Sequence, residues 1–480
     1  MGNLEEFMVV PVGPSASCSW VGPFDGKRSN TLGLAGISQN GFWCMCRIPR
    51  IALGTIQKKV DLQPLLAALL KALERADRIA QLFSSQSCFR SAESFSRWGG
   101  MRQRYLDSWL MSPAMCRQSF CLGARGCDLS IVFGQFATEL ESELPGGSLD
   151  RLCEWLELPR IVVLDVGESR HCYFPKIPEM TCGVILLGVR SIEDRVYWQT
   201  YLESHFGVRL MGTLAATAAE LSAWQQEIER DGRNRWVEPF ADQMTAGLNW
   251  NLFSEIATKV EPLDPADDEW TFLERSSNVN VAIAYDDAFN CYFPDTLDLL
   301  EMQGSRLHDF SPLRGEGLPD LCDLVLVGCG QPERFAEKLS GNHCMKQALR
   351  EHVNRGGRLY AEGGGLAYAC QSLECEAGQF PMAGLLPAKA RWQTGESHPV
   401  EIRLDRANWL ADIQSSILGY RSTSWSIEPQ TGLQYYCDDP QFRFDIVGYR
   451  GVLGSRMLLH FASQPRMMQN LLRPVREVEC

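Results

Sequence analysis

The run Gly356-Gly357-Arg358-Leu359-Tyr360-Ala361-Glu362-Gly363-Gly364-Gly365-Leu366-Ala367-Tyr368 constrains this chain more than any other stretch. A glycine pair, a short apolar segment, three more glycines and a helix-forming segment spell a buried strand, a tight turn and a helix. That is the repeating step of a parallel sheet. The apex residue of such a step stands at the carboxyl end of the strand, near the positive end of the next helix. A cysteine placed there has a lowered pKa and serves as a nucleophile. Here the apex is Gly363, so the residues predict the elbow without its nucleophile.

The same grammar recurs along the chain. Ile51-Ala52-Leu53-Gly54-Thr55 reads as a buried strand, and the segment from Leu62 to Glu74 as a helix with an apolar face. Two more buried strands are expected from Arg160 to Asp165 and from Gly183 to Val189, with a helix from Asp194 to His205. Strands alternating with helices predict an α/β chain of two doubly wound, mainly parallel-sheet domains. The expected boundaries are an N-terminal extension over 1–48, a first domain over 49–220, an acidic interdomain helix and linker over 221–277, and a second domain over 278–480.

Composition excludes several classes. A formal charge of -13 leaves no basic surface for nucleic acid. No apolar run approaches the roughly 18–20 residues that span a bilayer, and the segment from Met1 to Val10 lacks the basic start of a secretory signal. The 18 cysteines are scattered without a Cys-x-x-Cys pair, and only seven histidines accompany them, so buried reduced thiols in a cytoplasmic protein are expected rather than a metal site.

The elbow run also carries a resemblance. It is similar to Tyr-Ala-Glu-Cys-Gly-Gly-Leu-x-Tyr, the nucleophile motif of the cobyrinic acid a,c-diamide synthase family, at Tyr360, Ala361, Glu362, Gly364, Gly365, Leu366 and Tyr368, and departs at Gly363. Further segments resemble the family in the same order. They are Tyr105-Leu106-Asp107-Ser108-Trp109-Leu110, Cys127-Asp128-Leu129 with Gly134, Phe310-Ser311-Pro312-Leu313, the Gly330-to-Glu333 turn, and Pro381 to Pro387. The resemblance implies a dethiobiotin-synthetase-like P-loop domain followed by a class I glutaminase-like domain, using ATP and magnesium to amidate a corrinoid. In the first domain Gly54, Thr55 and Asp165 remain of the nucleotide site. Asp61 falls at the phosphate-lysine position and Phe133 at that of a metal-side glutamate. A carboxylate at Asp61 repels a triphosphate, and Phe133 coordinates nothing.

In the second domain Gly330 and Gly364 keep the turn whose N–H groups would form an oxyanion hole. Leu458 aligns with the catalytic base and His460 with a second histidine of the motif, either being a candidate for the base position. Asp286, Tyr292, Glu333 and Glu362 are candidate ligand contacts. With no complete catalytic, nucleotide or metal set, no cofactor is expected. The chain is expected to be a catalytically degenerate member that binds a corrinoid-like small molecule or partners an active paralogue or a second copy. The alternatives are an ammonia-dependent amidotransferase or ligase, and a scaffold protein.

Overall fold

The computed structural model describes residues 47–89, 103–137, 146–167, 176–223, 237–264, 279–315, 317–319 and 321–473. Nearly all of the N-terminal extension, and the acidic run from Pro265 to Glu269, lie outside them. The chain divides into two compact units, Met1–Gln86 with Ser94–Glu269 and Ser87–Glu93 with Trp270–Cys480.

The first unit is built on seven strands: β1 (Arg50–Thr55), β2 (Ala80–Ser84), β3 (Arg104–Tyr105), β4 (Leu129–Gln135), β5 (Arg160–Asp165), β6 (Thr181–Leu187) and β7 (Leu210–Leu214). They lie in the order β3-β2-β4-β1-β5-β6-β7, all parallel. Successive side chains of a strand face opposite ways. Ile51 and Leu53 therefore enter one core with the helix Gln63–Arg75, while Ala52 enters another with Phe83, Phe120 and Phe136. Both faces are covered, which is why the strands read as continuous apolar runs.

One boundary differs from expectation. The described parts of 221–277 are not a linker: the helices Val237–Gly247 and Trp250–Thr258 bury Phe240 and Phe253 in the same core as Ile51. The carboxylates of the first of these helices face outward. Asp242 lies 2.7 Å from Arg75, and Glu238 pairs with the same guanidinium.

The second unit has a central sheet of β8 (Asn280–Ala284), β10 (Arg306–Phe310), β11 (Leu324–Val327), β13 (Arg358–Glu362), β20 (Gln434–Tyr435), β21 (Ile446–Tyr449) and β22 (Val452–Ser455). Its order is β10-β8-β11-β13-β22-β21-β20, parallel through β22 and antiparallel at β21 and β20. Three small sheets decorate it. β9 (Phe289–Cys291) pairs with β12 (Cys329–Gly330); β14 (Ser372–Cys375), β15 (Gly378–Pro381), β16 (Ala388–Trp392) and β19 (Trp425–Pro429) form the second; β17 (Ser397–Arg403), β18 (Ser416–Ser422) and β23 (Met457–Leu458) form the third. Most of the chain between the elbow helix and β21 is thus antiparallel, a departure from strict double winding that carries Leu458 back toward the elbow.

Candidate functional site

At the carboxyl end of the fully buried β13 the chain turns at Gly363 and enters the short helix Gly364–Ala369. Gly363 has φ 54 and ψ -115, a conformation strained for any residue with a side chain. Its N–H donates to the Ser455 carbonyl at 2.9 Å, tying the apex to β22. The glycines that follow allow close packing: a Cβ on Gly365 would stand 2.0 Å from the Val327 carbonyl oxygen. The elbow read from the sequence is therefore present in full geometry.

What surrounds the apex is apolar or neutral. A Cβ at Gly363 would lie 2.9 Å from Cys329 Sγ, 3.5 Å from Cys329 Cβ and 3.8 Å from Leu458 Cδ2. Cys329 comes from the oxyanion turn, where burial pushes its thiol up to about 12, so it stays protonated. Leu458, at the aligned base position, does face the elbow, and it offers only methyl groups. His460 lies elsewhere. It is fully buried, its Nε2 is 3.7 Å from Asp295 Oδ2, and its ring packs on Phe293 at 4.8 Å. Of the two candidates for the base position, the structure brings Leu458 to the apex.

The candidate ligand contacts are mostly structural. Asp286 accepts four hydrogen bonds, from the N–H groups of Ala288 (2.8 Å), Phe289 (3.1 Å) and Leu313 (2.9 Å) and from the Ser311 hydroxyl (2.8 Å). Such a carboxylate holds a turn and has little left to offer a ligand. Tyr292 donates to the Ala284 carbonyl at 2.5 Å and accepts from Gly328 N–H at 2.8 Å. Glu333 sits half-buried in the 3-10 turn Pro332–Phe335 that follows the Gly330 turn. Glu362 is buried, accepts from the Tyr360 hydroxyl at 3.0 Å and from Leu459 N–H at 3.3 Å, and burial raises its pKa to about 7. It lines, with Tyr292, Thr296 and Tyr360, a cavity of about 20 Å³, room for one water. Asp286, Tyr292 and Glu362 hold turns and strand ends of the second unit, and of the four only Tyr292 and Glu362 share a cavity.

In the first unit the residues do not fit a triphosphate. Ile56, Val60 and Leu62 turn inward and are buried, so the loop between β1 and its helix packs on the core instead of opening as a cradle. Gln57 locks it there: its amide donates to the Asp165 carbonyl at 3.0 Å and accepts from Asp165 N–H at 2.7 Å. The Thr55 hydroxyl accepts from Gln57 N–H at 3.1 Å, and a Cβ on Gly54 would meet Phe136 at 2.4 Å. Asp61 accepts from Gln63 N–H at 2.9 Å at the start of the helix. The carboxylate of Asp165 is held by the N–H groups of Gly167 (2.8 Å) and Ala218 (2.6 Å), and Phe133 is core. Lys58 and Lys59 are exposed. Among the described residues no group of three or more His, Cys, Asp or Glu could hold a metal ion. No helix described is long and apolar enough to cross a membrane.

No local pattern announces the Gln57 clamp, which closes over 108 residues, or the arginines around Asp445, which reach it from opposite sides in sequence, Arg421 from 24 residues away.

The chain is similar to several known proteins. Residues 280–415 match a CobB/CobQ-like glutamine amidotransferase domain. A cobyrinate a,c-diamide synthase of Archaeoglobus fulgidus is 26% identical over 358 residues, 72% of this chain and 78% of that protein. One from Dehalococcoides mccartyi is 26% identical over 404 residues, 77% of this chain and 85% of that protein. A crystal structure of a glutamine amidotransferase covers 40% of this chain and 96% of its own, at 16% identity and a TM-score of 0.32. With motifs recurring in order across both units, this chain is similar to cobyrinate a,c-diamide synthases over most of its length, and its second unit to a CobB/CobQ-like glutamine amidotransferase domain.

Proposed function

We propose that this protein is a family member without glutaminase or phosphate-loop ATP chemistry, retained to bind a corrinoid-like ligand, alone or beside an active paralogue. The observation that carries this reading is the filled elbow: Gly363 at the apex, with the Cys329 thiol 2.9 Å from where a Cβ would begin and Leu458 at 3.8 Å. Glutamine hydrolysis needs a thiolate and a base within hydrogen-bond reach of each other. Losing one member of such a triad already lowers turnover by several powers of ten. The packed loop at Ile56, Gln57 and Val60 supports the same conclusion for the nucleotide half.

The test is ammonia release from glutamine, together with the melting temperature of the full chain in Mg-ATP, glutamine and cobyrinate. A ligand that prefers the native state raises that temperature. The expected outcome is no ammonia, no shift with Mg-ATP or glutamine, and a rise with cobyrinate. Ammonia release or a saturable rise with Mg-ATP overturns the reading.

A further inference from the structure

Asp445 of the second unit is wholly buried and carries two guanidinium groups. Arg421 Nη1 lies 3.4 Å from one carboxylate oxygen and Arg456 Nη1 lies 3.4 Å from the other, each arginine side chain being 18% exposed. Two cations on one carboxylate leave a local positive charge. The separations exceed the roughly 2.7–2.9 Å of a charge-assisted hydrogen bond, so neither planar fork is committed to Asp445 bidentately. Arg421 is braced further by the Gln441 carbonyl at 3.2 Å and the Phe442 ring at 5.4 Å. The Arg456 guanidinium makes no hydrogen bond among the described residues, and the Nε of both arginines is buried without an acceptor. A guanidinium offers five N–H donors in a fork that matches a carboxylate. Burial pulls the Arg456 guanidinium below its ordinary range; Asp445 opposes this, and the nearby charge of Arg421 adds to it.

The pair stands beside the elbow in the chain. Arg456 follows Ser455, whose carbonyl accepts from Gly363 N–H at 2.9 Å, and Arg421 pairs across β18 and β23 with Met457, the neighbour of Leu458. This is the carboxyl end of β13 and β22, the side on which open α/β sheets receive ligands.

We propose that Arg421 and Arg456, held at the ready by Asp445, form a receptor for a carboxylate of a small organic polyanion. The natural occupant, if the reading of the previous section holds, is a side-chain carboxylate of the corrinoid. Isothermal titration calorimetry of the full chain with citrate and with cobyrinate, at ionic strength held constant with sodium chloride, tests this in wild type, Arg456→Gln and Arg456→Lys. Binding at least tenfold weaker in Arg456→Gln is expected, with Arg456→Lys intermediate because it keeps the charge and loses the fork. Should Arg456→Gln not fold, the comparison of wild type with Arg456→Lys stands in its place. No difference between wild type and the variants toward either probe overturns the receptor. Citrate binding that depends on Arg456, without cobyrinate binding, upholds the receptor and removes the corrinoid reading. Equal cobyrinate binding in all three proteins does the reverse.

Discussion

At the apex of the elbow, the space beside Gly363 is taken by a neighbour's side chain. The Cβ of a cysteine introduced at Gly363 would stand 2.9 Å from Cys329 Sγ and 3.5 Å from Cys329 Cβ. That separation is at the short end of the disulfide range. Gly363→Cys is therefore expected to release no ammonia from glutamine. Under mild oxidation it should lose two titratable thiols, a loss that Gly363→Cys combined with Cys329→Ala should not show. Ammonia release from the single variant would mean that another base reaches the apex. Glu362 gives a second test at this scale. Its pKa is about 7 in the folded chain against an ordinary 4.5, so between those values the native state binds the extra proton. Stability contributed by the neutral carboxyl is then lost as pH rises from about 4.5 and is gone above about 7. Glu362→Gln keeps an acceptor for Tyr360 and Leu459 and removes the buried charge. It should be more stable than wild type at pH 8 by about 1–3 kcal/mol and equal to it near pH 4, as urea titrations would show. A parallel pH dependence in the two proteins would place the titrating group elsewhere.

Elements built from local periodicity were legible in the sequence; those built from long-range pairing were not. The β1 strand, its following helix and the elbow announce themselves through short apolar runs or an apolar helical face, with glycines marking the elbow's turn. The helices Val237–Gly247 and Trp250–Thr258 did not, because the acidic face of the first is compensated by Arg75 from a helix more than 160 residues earlier. Asp286, a candidate ligand contact in the sequence, spends its carboxylate on holding a turn. Its four donors come from two separate turns, brought together only when β10 lies beside β8. Asp286→Ala leaves several of those donors buried and unpaired, and should cost about 2–4 kcal/mol in denaturant titrations. The folded fraction should bind cobyrinate with unchanged affinity. A selective loss of binding with stability intact would return Asp286 to the ligand site.

For the molecule as a whole, packing and reactivity are separable. On the reading proposed above, glycines, turns and apolar cores persist where reactive groups are gone, and the second unit is a glutaminase-like fold whose elbow apex is lined by Cys329 and Leu458. If that is the whole of the defect, three changes should reopen it together and none alone: Gly363→Cys for the nucleophile, Leu458→His for the base, and Cys329→Gly to clear the oxyanion turn. The elbow already holds its backbone at φ 54, so no refolding is needed to present the introduced thiol. The strain of a side chain there costs about 1–3 kcal/mol, so some loss of melting temperature is expected. An electrophilic glutamine analogue should label the triple variant at the introduced thiol, read by mass, at least tenfold faster than Gly363→Cys alone, because a base within reach supplies the thiolate. Equal labelling of the two would mean that more of the site than these three positions departs from a working glutaminase.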